Sequence, residues 1–293
     1  MFATVAVLAA VAAGLAGCGD DPSDSSSSSS PAPTASADTD LASKVPDAIK
    51  SDGKILVGTD TTYAPSEFLA ADGKTAQGFD IDLFTAVAQK LGLKAEFQTA
   101  DFGTIIPGIG SGKYEVGVSS FTINAERKQS VDMISYFSAG TQWATKKGNP
   151  STIDIENACG KKIAVQKNTV QADPDLKDRS KKCTDAGKPA ITIDQYAGQD
   201  QATAAVVSGK DAAMLADSPV TAYAVKQANG QLELLGDIYE SAPYGIVIKK
   251  GQTEFGQAIA DAVKALIADG TYKTILEKWG VEAGAITDPA VNP

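Results

Sequence analysis

Apolar residues recur along the chain in two patterns, short continuous runs and stripes at helical spacing. Runs at residues 55–58, 95–98 and 116–118 predict short strands. Residues 79–91 predict a helix, because their apolar side chains fall at positions i, i+3, i+4 and i+7. That stripe consists of Phe84, Val87, Ala88 and Leu91. Strands that alternate with helices predict an α/β architecture with mainly parallel sheets.

The same alternation continues through the second half of the chain. Further strands are predicted at residues 162–166, 191–193 and 212–216. Ser218 is predicted to cap a helix that has Pro219 in its first turn. A later helix is predicted over about 253–269, ending at Gly270.

Polar residues follow four of the predicted strands. They are Asp60 and Tyr63, then Ser119, Ser120 and Thr122, then Asn168 and Thr169, and finally Asp217. Ligands bind outside the carboxyl ends of strands in open α/β sheets. Each residue alone is also explained as a loop residue or a helix cap. Together, and with Arg127 nearby, they favour a ligand site.

Composition narrows the chemistry of that site. The formal net charge is −10 and no basic run occurs, which argues against nucleic-acid binding. The sequence has no histidine. Ser-His-Asp and Cys-His catalysis are therefore excluded, as is a histidine-ligated metal. We expect neither a metal nor a cofactor.

The first residues resemble a bacterial lipoprotein leader. An apolar run over residues 5–15 is too short to span a bilayer, which needs about 20 residues. Ala16 and Gly17 then precede Cys18, as in a lipobox. The alternative is an ordinary signal peptide with a chance cysteine, and the lack of Lys or Arg in residues 1–4 departs from the usual pattern. We expect a signal peptide over 1–17, lipidation of Cys18, and a disordered Ser-rich linker over 18–43.

Two further cysteines, Cys159 and Cys183, remain if Cys18 is acylated. An exported protein meets oxidising conditions, so we predict that they form a disulfide. Two free thiols are the alternative.

Five motifs resemble those of the amino-acid-binding family of bacterial extracellular solute-binding proteins, the receptors of ABC importers. Residues 78–83, GFDIDL, resemble the family signature. The others are residues 60–65, 119–127, 168–171 and 216–219, and the likeness extends over about 54–280.

The resemblance implies specific roles in binding a free amino acid. Arg127 would hold the α-carboxylate with two parallel hydrogen bonds, Asp217 would hold the α-ammonium, and Asp60 would contact the ligand side chain. Tyr63 and Phe102 would sandwich the aliphatic part. The full set of implied ligand residues is Asp60, Tyr63, Phe102, Ser119, Ser120, Phe121, Thr122, Arg127, Thr169, Val170, Gln171 and Asp217.

The resemblance also implies a two-lobed, periplasmic-binding-protein-like (Venus flytrap) fold. Lobe one would comprise residues 44–140 and 245–293, and lobe two residues 141–244. The chain would cross between them near 140–141 and 244–245, and hinge motion would close the cleft on the ligand. We expect a monomer on the extracytoplasmic face of the membrane that works with separate permease and ATPase chains.

The sequence favours a polar or basic ligand side chain. Asp60 and Glu67 lie close to Tyr63 in the sequence, and beyond Arg127 the only other arginine is Arg179. Lys167 is the cation that would suit an acidic ligand instead. Two other functions stay open. One is a dehydratase-like enzyme using Asp60, Glu67 or Asp217 as its acid or base, and the other is a sensory or adhesive surface protein.

Overall fold

The computed structural model describes residues 35–293. The predicted signal peptide, Cys18 and the linker up to residue 34 lie outside the described residues. Order begins earlier than predicted, because Thr39–Ser43 form a helix within the expected linker. Asp38 caps this helix by accepting hydrogen bonds from the next turn, and Leu41 is buried in the neighbouring core.

The described chain alternates strands and helices as predicted. The strands are β1 Lys54–Thr59, β2 Thr62–Tyr63, β3 Glu67–Leu69, β4 Ala76–Gln77, β5 Lys94–Thr99, β6 Val116–Thr122, β7 Val131–Lys146, β8 Lys162–Gln166, β9 Thr192–Tyr196, β10 Ala213–Asp217 and β11 Leu232–Lys249. The α-helices are α1 Thr39–Ser43, α2 Asp47–Lys50, α3 Phe79–Lys90, α4 Phe102–Ser111, α5 Arg127–Ser130, α6 Leu176–Asp185, α7 Gln199–Ser208, α8 Ser218–Gln227, α9 Thr253–Ala268 and α10 Thr271–Trp279. Over residues 35–293, none of the helices is long and apolar enough to cross a membrane.

Eight strands form one mixed sheet in the order β5-β1-β6-β11-β7-β10-β8-β9. The prediction of parallel pairing is confirmed at both ends, where β1 pairs with β5 and β6, and β8 with β9 and β10. It is wrong at the centre, where the long strands β7 and β11 run antiparallel. The sequence did not indicate β11, because its middle is exposed and carries no continuous apolar run.

The long central strands join two lobes, each with its own apolar core. In lobe one, α3, α9 and α10 enclose a core that includes Phe84 and Val263. In lobe two, a second core includes Trp143. The register sets Ala139 opposite Ala242 between these cores. The lobe boundaries given above stay a prediction.

Two predicted local features are settled by the structure. Cys159 and Cys183 form the predicted disulfide, with their Cα atoms 5.5 Å apart. The predicted cap of α8 is wrong by one residue. Asp217 is the N-cap, because its backbone is extended while Ser218 is already helical.

Candidate functional site

A small, largely enclosed cavity lies between the lobes. All of the predicted ligand residues except Phe121 line it, together with one residue that was not predicted, Gln166. The lining consists of Asp60, Tyr63, Phe102, Ser119, Ser120, Thr122, Arg127, Gln166, Thr169, Val170, Gln171 and Asp217. The carboxyl ends of β1, β6, β8 and β10 supply most of them, so the sheet topology creates the site.

Phe121 lies behind the cavity wall instead of lining it. Its ring stacks on that of Phe102, with centroids 4.7 Å apart. The Arg127 guanidinium carbon lies 5.3 Å from the Phe102 centroid and 5.6 Å from the Phe121 centroid. The two rings therefore support Arg127 through cation–π contact.

Arg127 brings a partly desolvated positive charge to the cavity. Its Nη1 donates to the Thr122 carbonyl at 2.9 Å, and its Nη2 donates to the Asn168 carbonyl at 3.3 Å. No carboxylate of the described residues forms an ion pair with it. Burial lowers the pKa of Arg127 to about 10, so the group stays cationic at neutral pH. A guanidinium has five N–H bonds, so these two hydrogen bonds leave three N–H bonds for other acceptors.

Thr169 and Val170 complete this end of the cavity. They precede the helical turn Gln171–Asp175, whose Ala172 and Asp173 N–H groups donate to Thr169, while the N–H groups of Thr169 and Val170 have no acceptor among the described residues. Such N–H groups favour an anion. The Thr169 hydroxyl is fixed, because it donates to the Gln166 carbonyl at 2.8 Å. Arg127 and these N–H groups together suit a carboxylate.

Asp217 brings a negative charge to the same cavity. Its two carboxylate oxygens accept hydrogen bonds from the Tyr63 hydroxyl at 2.9 Å and from Gln171 Nε2 at 2.8 Å. Burial raises the pKa of Asp217, and these hydrogen bonds and the charge of Arg127 offset only part of that rise. A carboxylate so placed suits an ammonium group.

Asp60 and Gln166 form another polar part of the cavity. Asp60 Oδ2 accepts hydrogen bonds from the Phe102 backbone N–H at 3.0 Å and from Gln166 Nε2 at 2.8 Å. Burial raises the pKa of Asp60, and its hydrogen bonds oppose that shift. Gln166 was not predicted as a cavity residue, because the prediction covered only polar residues that follow a strand and Gln166 is the last residue of one. A polar residue at the carboxyl end of a buried strand would have indicated it.

Hydrogen bonds across the cleft show that the lobes are closed. Tyr63 and Asp60 of lobe one contact Asp217 and Gln166 of lobe two, as described above. Outside the cavity, the backbone N–H of Gln199 donates to the Thr62 hydroxyl at 3.2 Å.

Three sequence expectations need correction. Ser119, Ser120 and Thr122 do not follow a strand but form the end of β6, which is longer than predicted. Glu67 does not line the cavity, because its carboxyl group is buried behind Ser119. Lys167 points to the rim, where its side chain is 39% exposed and lies 3.5 Å from Asp101.

Comparison with known proteins gives a consistent assignment. The Arginine-binding protein ArgT of Corynebacterium glutamicum is 36% identical over 253 residues, which cover 86% of this chain and 83% of that protein. A solved ancestral arginine-binding protein bound to arginine is 37% identical, covers 78% of this chain and 98% of its own, and superposes with a TM-score of 0.70.

A second solved structure bears on the enzyme alternative. The ancestral amino acid-binding protein AncCDT-1, a precursor of cyclohexadienyl dehydratase, is 35% identical. It covers 80% of this chain and 98% of its own, with a TM-score of 0.69. Residues 55–282 match the family described as bacterial extracellular solute-binding proteins, family 3. The chain belongs to this family of extracellular solute-binding proteins.

Proposed function

We propose that this protein is a receptor for a free α-amino acid with a polar or cationic side chain. One observation carries the proposal: a cation, Arg127, and an anion, Asp217, line one cavity between the lobes. An α-amino acid presents the complementary pair of charges on neighbouring atoms. Burial of both protein charges makes partners of opposite sign favourable.

The rest of the cavity supports the choice of side chain. Asp60 supplies a carboxylate, and the Gln166 amide, which donates to Asp60 and to the Ala197 carbonyl, has its oxygen left to accept a hydrogen bond from a ligand. Lys167, the candidate partner for an acidic ligand, lies outside the cavity lining. Arginine binding in ArgT and in the ancestral protein supports the cationic end of this range.

The proposed setting is the extracytoplasmic face of the cell membrane. Lipidation of Cys18 would anchor the chain, and the serine-rich segment would tether the folded part. In the proposed cycle, lobe one and lobe two close on the amino acid and deliver it to an ABC permease and its ATPase. The family assignment supports export and solute binding.

Binding without turnover is favoured over a dehydratase reaction. Of the three candidate acids or bases, Glu67 is fully buried and absent from the cavity lining. Asp60 and Asp217 each already accept several hydrogen bonds that hold them in place. The likeness to AncCDT-1 makes turnover worth measuring directly.

A thermal-shift screen against the twenty amino acids tests the proposal. The purified protein is expected to be stabilised most by a polar or basic amino acid, because ligand binding to the folded state raises its stability. The mixture is then analysed by chromatography for chemical conversion. Absence of any shift would contradict the proposed function, and consumption of the ligand would favour an enzyme. A permease and an ATPase encoded beside this chain would favour import over sensing.

A further inference from the structure

Two buried carboxyl groups, Glu67 of β3 and Asp80 of α3, lie together behind the cavity. Both residues are 0% exposed. The backbone sets their positions, because Asp80 N–H donates to the Ser66 carbonyl at 3.0 Å. Gly78 permits this approach. Its φ is +136°, and a Cβ atom there would lie 2.0 Å from the Ser66 carbonyl oxygen.

One oxygen of each carboxyl group is occupied by donors from the protein. Glu67 Oε1 accepts from the Ser119 hydroxyl at 2.8 Å. Asp80 Oδ2 accepts from the Ser120 N–H at 3.0 Å and from the Tyr136 hydroxyl at 2.7 Å. The other two oxygens, Glu67 Oε2 and Asp80 Oδ1, are buried and have no hydrogen-bond partner among the described residues.

The two carboxyl groups lie close enough to interact, and each has one buried oxygen without a partner among the described residues. Two carboxylates offer only acceptors, so a hydrogen bond between Glu67 and Asp80 would require one proton. Within residues 35–293, neither group forms an ion pair with a lysine or arginine that could neutralise a second charge. Two negative charges on neighbouring buried carboxyl groups would repel each other.

We propose that Glu67 and Asp80 share one proton at neutral pH, and that this protonated pair positions Ser119 and Ser120 at the ligand cavity. The positioning role rests on the proposed function, whereas the shared proton does not. Ser119 donates to Glu67 and accepts the Asp60 N–H at 3.0 Å, which fixes the direction of its hydroxyl. Glu67 thereby acts on the cavity through Ser119.

Asp80 acts on Ser120 in a similar way. The φ of Ser120 is +49°, a left-handed conformation that is unfavourable for a residue other than glycine. The N–H of Ser120 donates to Asp80, which helps to hold this backbone in place. Ser119 and Ser120 both line the cavity, so the carboxyl pair supports two neighbouring positions of the site.

The environment places the proton on Glu67. Burial raises the pKa of Glu67 well above its usual value, and the charge of Asp80 adds to that shift. Burial also raises the pKa of Asp80, but hydrogen bonds from Glu67 and Tyr136 oppose the shift. The other titratable groups that face the pair are Asp60 and Tyr63. Neither supplies a positive charge.

Infrared spectroscopy tests the shared proton without any ligand. Glu67→Gln replaces the protonated acid by an amide, which can donate to Asp80 and accept from Ser119 without titrating. The wild-type minus Glu67→Gln spectrum at neutral pH should contain the carbonyl band of a protonated carboxylic acid, shifted in heavy water. Asp82→Asn is the matched control. Asp82 lies on the same helix and pairs with Lys278 at 2.8 Å, so its difference spectrum should show carboxylate bands only. Only carboxylate bands for Glu67→Gln would overturn the shared proton.

Calorimetry then tests the positioning role, with the amino acid that gives the largest thermal shift as ligand. Glu67→Gln should bind within about threefold of wild type, because its hydrogen bonds are retained. Glu67→Leu removes both hydrogen bonds, and we expect affinity to fall at least about tenfold in the folded variant. If Glu67→Leu does not fold, a loss of affinity in Glu67→Gln still overturns the positioning role. Equal binding by Glu67→Gln and Glu67→Leu overturns it as well. If the wild type shows the protonated-acid band but binds no amino acid, the proposed function is refuted and the shared proton is not.

Discussion

Replacing Arg127 by alanine should weaken amino-acid binding strongly. Burial lowers the pKa of Arg127 to about 10, below its usual value, although nearby acidic groups oppose the shift. The net effect disfavours the charged guanidinium by roughly 3 kcal/mol, which a ligand carboxylate would offset. Truncating one partner of a buried charge pair costs about 2–5 kcal/mol. We therefore expect affinity to fall by roughly 30-fold to 4,000-fold in Arg127→Ala.

Isothermal titration of the folded variants with the identified amino acid measures this loss. Arg127→Lys should recover only part of the affinity, because an ammonium cannot form the two parallel hydrogen bonds of a guanidinium. Lys167→Ala is the matched control. It removes a positive charge from the cleft rim, where the salt bridge to Asp101 is largely exposed and contributes about 0–1 kcal/mol. Near-wild-type affinity in a well-folded Arg127→Ala protein would refute the assignment of the carboxylate site.

Four further changes test the second charge of the cavity, the disulfide, the lipid anchor and the buried Glu67 carboxyl group. Asp217→Asn should weaken binding by about 2–5 kcal/mol in the same titration, because the ligand ammonium loses its charge partner; unchanged affinity would contradict that role. Replacing Cys159 and Cys183 by serine should lower the free energy of unfolding by roughly 3 kcal/mol in urea denaturation, since the disulfide closes a loop with a sequence separation of 24 residues. An unchanged midpoint would refute this. Cys18→Ala should release the protein from the membrane, and retention in the detergent phase of a partition assay would show that the anchor lies elsewhere. The free energy of unfolding of wild type relative to Glu67→Gln should fall as pH rises from about 5 to about 8, because folded Glu67 keeps a proton that the unfolded chain releases. Parallel pH profiles would exclude that difference.

Local sequence patterns predicted much of the fold because they depend on neighbouring residues. The run at 55–58 became β1, and the apolar stripe of 79–91 became α3, which ends one residue earlier. Polar residues after strands predicted most of the cavity because parallel strands end at a common edge. The helix Thr39–Ser43 was missed because the surrounding segment is polar and serine-rich.

Contacts between distant segments could not be predicted in the same way. The antiparallel pairing of β7 and β11 joins segments about a hundred residues apart, and no local repeat indicates it. Glu67 was expected near the ligand because of its position beside Tyr63. It instead contacts Ser119 and Asp80, at sequence separations that no periodic pattern marks. Gln166 was missed because it belongs to a predicted strand, and only the fold shows that the last residue of this strand lines the cavity.

We propose that one cavity binds both charged groups of a free amino acid. Calorimetry with three related ligands separates the two charges: the amino acid selected by the thermal-shift screen, its decarboxylated amine and its N-acetyl derivative. The free amino acid carries both charges. The amine lacks the carboxylate that would pair with Arg127, and the N-acetyl derivative lacks the ammonium that would pair with Asp217. We predict saturable binding of the free amino acid and a loss of at least about 30-fold in affinity for each derivative. Equal affinity for all three ligands would show that the cavity does not recognise these two charges.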